Sequence, residues 1–179
     1  MRGAFDGYFL LDDFGMLSIV RLIGNPMHVF VENHMPGGFY YRPLGILAWW
    51  LSEKMFGTEA AWHYVCNALL HGAVVLALWR WLATASGSQG LAFGAAAMFA
   101  VQPAATGTTL WLSDRFDLLA LLFGMLALRA GWQFADDGRN SDWILALVWM
   151  ALALLCKEIA LVPVAALFVA WMLGDRRVT

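Results

Sequence analysis

From position 60 to position 83 the chain reads AAWHYVCNALLHGAVVLALWRWLA, with Arg80 its only charged side chain. Crossing the hydrocarbon core of a bilayer as a helix takes roughly 20 mainly apolar residues. Within that core the backbone has to satisfy its own hydrogen bonds, as a helix does. The stretch therefore predicts a spanning helix, and it is not alone. The protein is 61% hydrophobic and 13% charged, has 10 Trp and 12 Phe in 179 residues, and has a mean hydropathy of +0.66. Such a composition lies outside the soluble globular range and predicts an all-α, polytopic membrane protein. A net charge of -2 and a pI near 6.0 leave no electrostatic footprint for nucleic acid. Cys66 and Cys156 both fall inside apolar runs and read as small core residues, not as a disulfide or a metal pair.

The chain divides into three regions. Residues 1–42 carry an adjacent acidic pair, Asp12 and Asp13, and are broken by Gly24, Pro26, Pro36, Gly37 and Gly38. They read as an external loop with a short helix near 13–23. No apolar stretch before Asp12 is long enough to span, and no cleavable signal is evident. Residues 43–57, opening on Pro43 in a first helical turn, read as an amphipathic helix at the membrane interface. Residues 58–179 form the transmembrane bundle.

Within that bundle the second span is 90–103, ended by Pro103. Gly90 and Gly94 in it would allow a neighbouring helix to approach closely. A third span covers about 116–134, and ADDGRNSD is a polar turn. The last apolar run, WILALVWMALALLCKEIALVPVAALFVAWML, would be ~46 Å long as one helix and would hold Lys157 and Glu158 near the middle of the bilayer. Two shorter helices meeting at CKE return those charges to a membrane surface. This second reading is favoured and brings the total to about five spans. GDRRVT follows directly, with no extramembrane domain expected.

Counting spans assigns the loops to sides. With Asp12, Asp13 and YYRP on side one, QPAATGTTLWLSDRFD and CKE return to that side. TASGSQG, ADDGRNSD and GDRRVT lie on side two. The polar motifs thus share one face, and the connector cations, Arg80, Arg129, Arg139, Arg176 and Arg177, make side two cytoplasmic.

Several residues could carry chemistry on side one. Asp12 and Asp13 suit acid–base work or a divalent cation, because neighbouring carboxylates raise one another's pKa or recruit a metal. Equally, an Asp before FGMLSIVRLI is a natural helix cap. Arg115 and Lys157 suit a phosphate. They are equally able to pair with Asp114 or Asp117, and with Glu158 or a lipid headgroup. His63, Asn67 and His71 recur at i, i+4, i+8 and line one helix face, as interhelical hydrogen-bonding groups or as a proton path. No H-E-x-x-H, P-loop, nucleophile elbow or dinucleotide fingerprint occurs.

The ordered set LLDDFGML, FYYRPL, WHYVCNALLHGAVVLAL, QPAATGTTLWLSDRFDLLALLF and LLCKEIALVPVAAL resembles the amino-terminal membrane region of GT-C superfamily glycosyltransferases. The closest likeness is to the protein O-mannosyltransferase-like group and the tetratricopeptide-containing transmembrane O-mannosyltransferases. The resemblance runs from about Phe9 to Trp171. It implies a partial GT-C core that transfers a sugar from a polyprenyl-phosphate donor to a hydroxyl acceptor on the non-cytoplasmic face. For a bacterial chain that face is the periplasmic side of the inner membrane. It also implies that Asp12 or Asp13 is the general base, and in some relatives such acids hold a divalent metal. Tyr41, Arg42 and Pro43 match a family element, as do Trp111, Arg115 and Asp117, and Lys157 with Glu158. Arg115 and Lys157 would hold the lipid phosphate. Gln102 stands where the family usually has His, and Gly107 where it has Glu. The family also has a span before the acidic pair, so the sequence is expected to be part of a larger domain. A non-catalytic membrane protein binding lipid phosphate or a partner subunit, and a small proton-coupled transporter, are the alternatives.

Overall fold

The computed structural model describes residues 8–162 and residue 165, and among these there is no β-strand. Helix α1 spans Asp12–Leu22, with two acids in its first turn and Arg21 in its last, an arrangement that complements the helix dipole. Two short 3-10 turns, Pro26–Phe30 and Pro36–Gly38, lead to α2, Pro43–Phe56, which starts on proline as expected. Helix α3 covers Ala60–Ser86 and α4 covers Gln89–Val101. Between them Gly87 takes the left-handed conformation (φ 64°) that closes a helix, and the Ser88 side chain caps α4. Pro103 ends the run after α4 and opens a separate short helix, α5, Pro103–Leu110. A 3-10 turn, Leu112–Asp114, then feeds α6, Arg115–Asp137. Helix α7 spans Asn140–Leu154. The chain breaks after it, with Lys157 in extended backbone, before a 3-10 turn at Glu158–Ala160. The long apolar run is therefore interrupted at CKE.

Two helical segments are long and apolar enough to cross a membrane, Ala60–Ser86 and Leu112–Asp137. The apolar helices α4 and α7, with 13 and 15 residues, are shorter than a perpendicular crossing needs. Most of the fifth expected span lies outside the described residues. Only 17% and 33% of the apolar windows in the two long segments are buried inside the protein. Their outward surfaces, with those of α4 and α7, present Leu69, Leu91, Phe93, Met98, Ile144 and Leu147. An apolar surface this extensive suits lipid contact.

Helix α3 packs against α4 and α6, and α6 packs along α7. The first region is not loosely attached. Met16, Leu17 and Val20 from α1 and Ile23 just after it join Ile46 and Trp49 from α2, Leu112 from the 3-10 turn and Phe116 from the start of α6, in one buried cluster. On α2 the buried Ile46, Trp49 and Ser52 recur at i, i+3, i+6 and form a single inward stripe. Leu51 and Met55 face outward. At Gly45 a Cβ would lie 1.9 Å from the Phe116 ring, so only glycine lets α2 and α6 approach this closely.

Candidate active site

The acidic pair sits at the start of α1, and its two members have different surroundings. Asp13 is fully buried. Its Oδ2 accepts the Leu10 N–H at 2.9 Å, while Oδ1 accepts the backbone N–H and the hydroxyl of Ser113 at 2.8 and 2.6 Å. Asp13 therefore pins the turn before α6 onto α1, across 100 residues of sequence. Asp12 is exposed, and its carboxylate makes no hydrogen bond or ion pair among the described residues. Immediately before the pair, Leu11 adopts φ 41°, a conformation a branched side chain rarely tolerates.

Arg115 is 1% exposed. Its Nε donates to Asn67 Oδ1 at 2.8 Å, one terminal nitrogen donates to Ser52 Oγ, and the other donates to the His63 carbonyl at 3.1 Å. The guanidinium also lies 4.9 Å from the centre of the Trp49 ring. The expected role of Arg115 as a phosphate ligand does not fit this placement, because the group is sealed in the core and engaged by α2 and α3. Nor does it pair with Asp114 or Asp117. The polar stripe on α3 is used the same way. His63 contacts Ser52 and the Gly57 carbonyl, Asn67 holds Arg115, and His71 reaches the Ala100 carbonyl on α4. All three side chains bond to other elements.

The remaining motif residues meet beyond this core. Arg42 forms a two-pronged ion pair with Glu158, with Nε to Oε2 at 3.0 Å, and lies over the Tyr40 ring. The hydrogen bonds from Arg42 hold the Glu158 carboxyl below its ordinary pKa, against a smaller opposing effect of burial. Leu44 N–H donates to the Leu155 carbonyl beside them. Lys157 Nζ lies 2.6 Å from Asp117 Oδ2, both side chains about a quarter exposed. Tyr41 donates its hydroxyl to the Phe30 carbonyl, so it positions the first region and does not face the ion pairs through that group. Gln102, Asp114, Asp117, His71 and Thr108 line a cavity of about 430 Å³ that reaches Ile159. Asp117 thus borders both the cavity and Lys157.

Asp13, Arg42, Asp117, Lys157 and Glu158 are therefore tied to one end of the bundle, with Asp12 exposed beside them and Gln102 on the adjoining cavity. The sequence alone did not single out Ser113 and Ser52, and it gave Asp114 only as a candidate partner of Arg115. Only their position next to Arg115 within WLSDRFD, or in the helix after YRP, could have pointed to them. Both oxygens of Asp13 are engaged by protein donors, which leaves Asp12 as the one open carboxylate of the pair. Among the described residues no three His, Cys, Asp or Glu side chains cluster to hold a metal.

This lipid-facing helical bundle, with its acidic loop folded against a basic and acidic end, now stands beside known proteins. Residues 41–179 match the dolichyl-phosphate-mannose-protein mannosyltransferase family, and the chain belongs to that family. Over 99 residues it is 33% identical to the protein O-mannosyl-transferase TMTC1 of Mus musculus, and 33% identical over the same length to that of Homo sapiens. These alignments cover 55% of this chain but only 10% and 11% of the relatives, so the chain spans about a tenth of their length. No solved structure matches it.

Proposed function

We propose that this chain forms part of a membrane glycosyltransferase that moves a sugar, mannose in the first instance, from a polyprenyl-phosphate donor to a hydroxyl acceptor. The observation that carries this reading is the convergence of Asp12–Asp13, the 113–117 turn, Arg42–Glu158 and Lys157–Asp117 at one end of a helical bundle of this family. Asp12 is the base. It takes the acceptor's proton as the hydroxyl oxygen bonds to the anomeric carbon, and the bond from that carbon to the phosphate oxygen breaks. Attack from the face opposite the leaving phosphate inverts the anomeric centre. Lys157, which keeps N–H groups beyond the one facing Asp117, neutralises the departing polyprenyl phosphate. Asp13 positions Asp12 through the Ser113 bonds, and Arg115 holds the helices that carry Lys157's partner. The reacting end faces the non-cytoplasmic side of the membrane.

The test is transfer of labelled mannose from polyprenyl-phosphate mannose to hydroxyl acceptors by membranes containing the chain in its full gene context. Asp12→Asn should lower transfer by about 10² to 10⁴, the range a positioned general base contributes. Equal transfer by Asp12→Asn and the unaltered protein would refute the assignment.

A further inference from the structure

At the opposite end of the bundle, Trp79, Arg80, Ala83 and Thr84 of α3, Gln89 of α4 and Arg129 of α6 line a second cavity of about 430 Å³. We infer that this cavity binds the phosphate of an anionic phospholipid headgroup.

The lining contains two guanidinium groups and no carboxylate. Neither Arg80 nor Arg129 takes part in an ion pair among the described residues, whereas Arg139 at the same end is held by Asp137 and Asp142. The Nε of Arg129 and the indole Nε1 of Trp79 are buried with no hydrogen-bond partner among the described residues. The Thr84 hydroxyl is already given to the Arg80 carbonyl at 3.0 Å. The cavity therefore offers N–H donors and positive charge with too few acceptors, and a buried donor without an acceptor is costly. A phosphate supplies acceptor oxygens and a charge that guanidinium groups grip two-pronged.

Its position favours a lipid as the source. Helix α3, with 27 residues, is ~40 Å long, against ~30 Å of hydrocarbon. Arg80 therefore falls within about a turn of the bilayer edge, and Trp79 and Trp81 beside it are residues typical of that level. Leu76, one turn further in, is exposed on the same helix and can meet an acyl chain. Basic pockets between helices at this depth suit acidic headgroups.

Native mass spectrometry of the purified full chain would count lipids retained from detergent containing phosphatidylglycerol or phosphatidylcholine. One phosphatidylglycerol should be retained in preference to phosphatidylcholine. Arg80→Gln and Arg129→Gln should each weaken retention by about tenfold, a charged hydrogen bond's contribution, and Arg139→Gln should leave it unchanged. Helicity and melting temperature are followed for each variant, and Arg80→Gln, at an exposed position, keeps the test open if Arg129→Gln misfolds. Equal retention of the two lipids, or retention indifferent to Arg80→Gln, would overturn the inference. A separate arm adds inorganic phosphate. Displacement of phosphatidylglycerol at millimolar phosphate would identify a free anion as the ligand and overturn the lipid assignment.

Discussion

At the scale of single residues, adjacent Asp12 and Asp13 are not equivalent. Asp13 is a buried acceptor for three donors, so Asp13→Asn turns an amide N–H₂ toward groups that already donate. Such a change should cost about 1–3 kcal/mol and lower the melting temperature, whereas Asp12→Asn should cost less, about 0.3–1 kcal/mol for the lost charge at the helix start. Comparing the two variants in one detergent separates the positioning acid from the open one. Gly45 is as demanding in another way. Gly45→Ala drives a methyl into the Phe116 ring, and overpacking of this kind costs about 1–3 kcal/mol, readable as a lower melting temperature. Glu158 adds a pH dependence. Its folded pKa is lowered chiefly by the Arg42 hydrogen bonds, so the clasp contributes full stability above the ordinary glutamate pKa. That contribution is lost as pH falls through the lowered folded value. Melting temperature should therefore drop in acid, and Glu158→Gln should flatten that part of the profile.

At the scale of elements, Arg115 decides how α2, α3 and α6 sit. Asn67→Ala removes the acceptor for its Nε and leaves a buried guanidinium short of a partner. The expected loss is about 1–3 kcal/mol, and the double variant Asn67→Ala/Ser52→Ala should lose less than the sum of the singles, since both act on one group. Most of the elements were legible in the sequence. Pro43 starts a helix, Pro103 ends one, TASGSQG and ADDGRNSD separate helices, and the charges at CKE mark a break, because each acts through backbone chemistry local to its position. The short helix Pro103–Leu110, read as a polar stretch, was not legible. The partners of charged side chains were not legible in the same way. Arg115 stands beside Asp114 and two residues from Asp117, yet it bonds to Asn67, Ser52 and His63, because helix packing turns it inward. Lys157 likewise prefers Asp117, 40 residues away in sequence, to its neighbour Glu158. Spacing identifies which residues share a face, but cross-helix packing selects their bonds. For the same reason Asp13 was readable as a cap or an acid, and only the folded turn at Ser113 shows what it holds.

At the scale of the whole molecule, the helices α3 and α6 run in the same direction, since His63 and Asn67 near the start of one meet Arg115 at the start of the other. Helices α4 and α7 return the chain, which leaves Asp12, the 113–117 turn and Lys157 at one end and residues 87, 88, 138 and 139 at the other. This predicts a labelling pattern. A cysteine replacing exposed His28 and one replacing exposed Ser141 should react with a membrane-impermeant maleimide from opposite sides of sealed vesicles, above the background from Cys66 and Cys156. Reaction of both from the same side would break the topology.

The Arg42–Glu158 clasp joins groups 116 residues apart in sequence, and this has a consequence for the order in which the protein is made. Chains grow at about 5–20 residues per second, so Arg42 leaves the ribosome roughly 6 to 23 seconds before its carboxylate partner exists. For about the first two-thirds of that interval at this rate, α1 and α2 wait with Ile46 and Trp49 uncovered, because Leu112 and Phe116, which complete their cluster, are also still to come. The end that holds the Arg42–Glu158 clasp is thus among the last parts of the described chain to assemble. A nascent chain halted between the two partners would be open to proteases and chaperones at the very segment that carries Asp12.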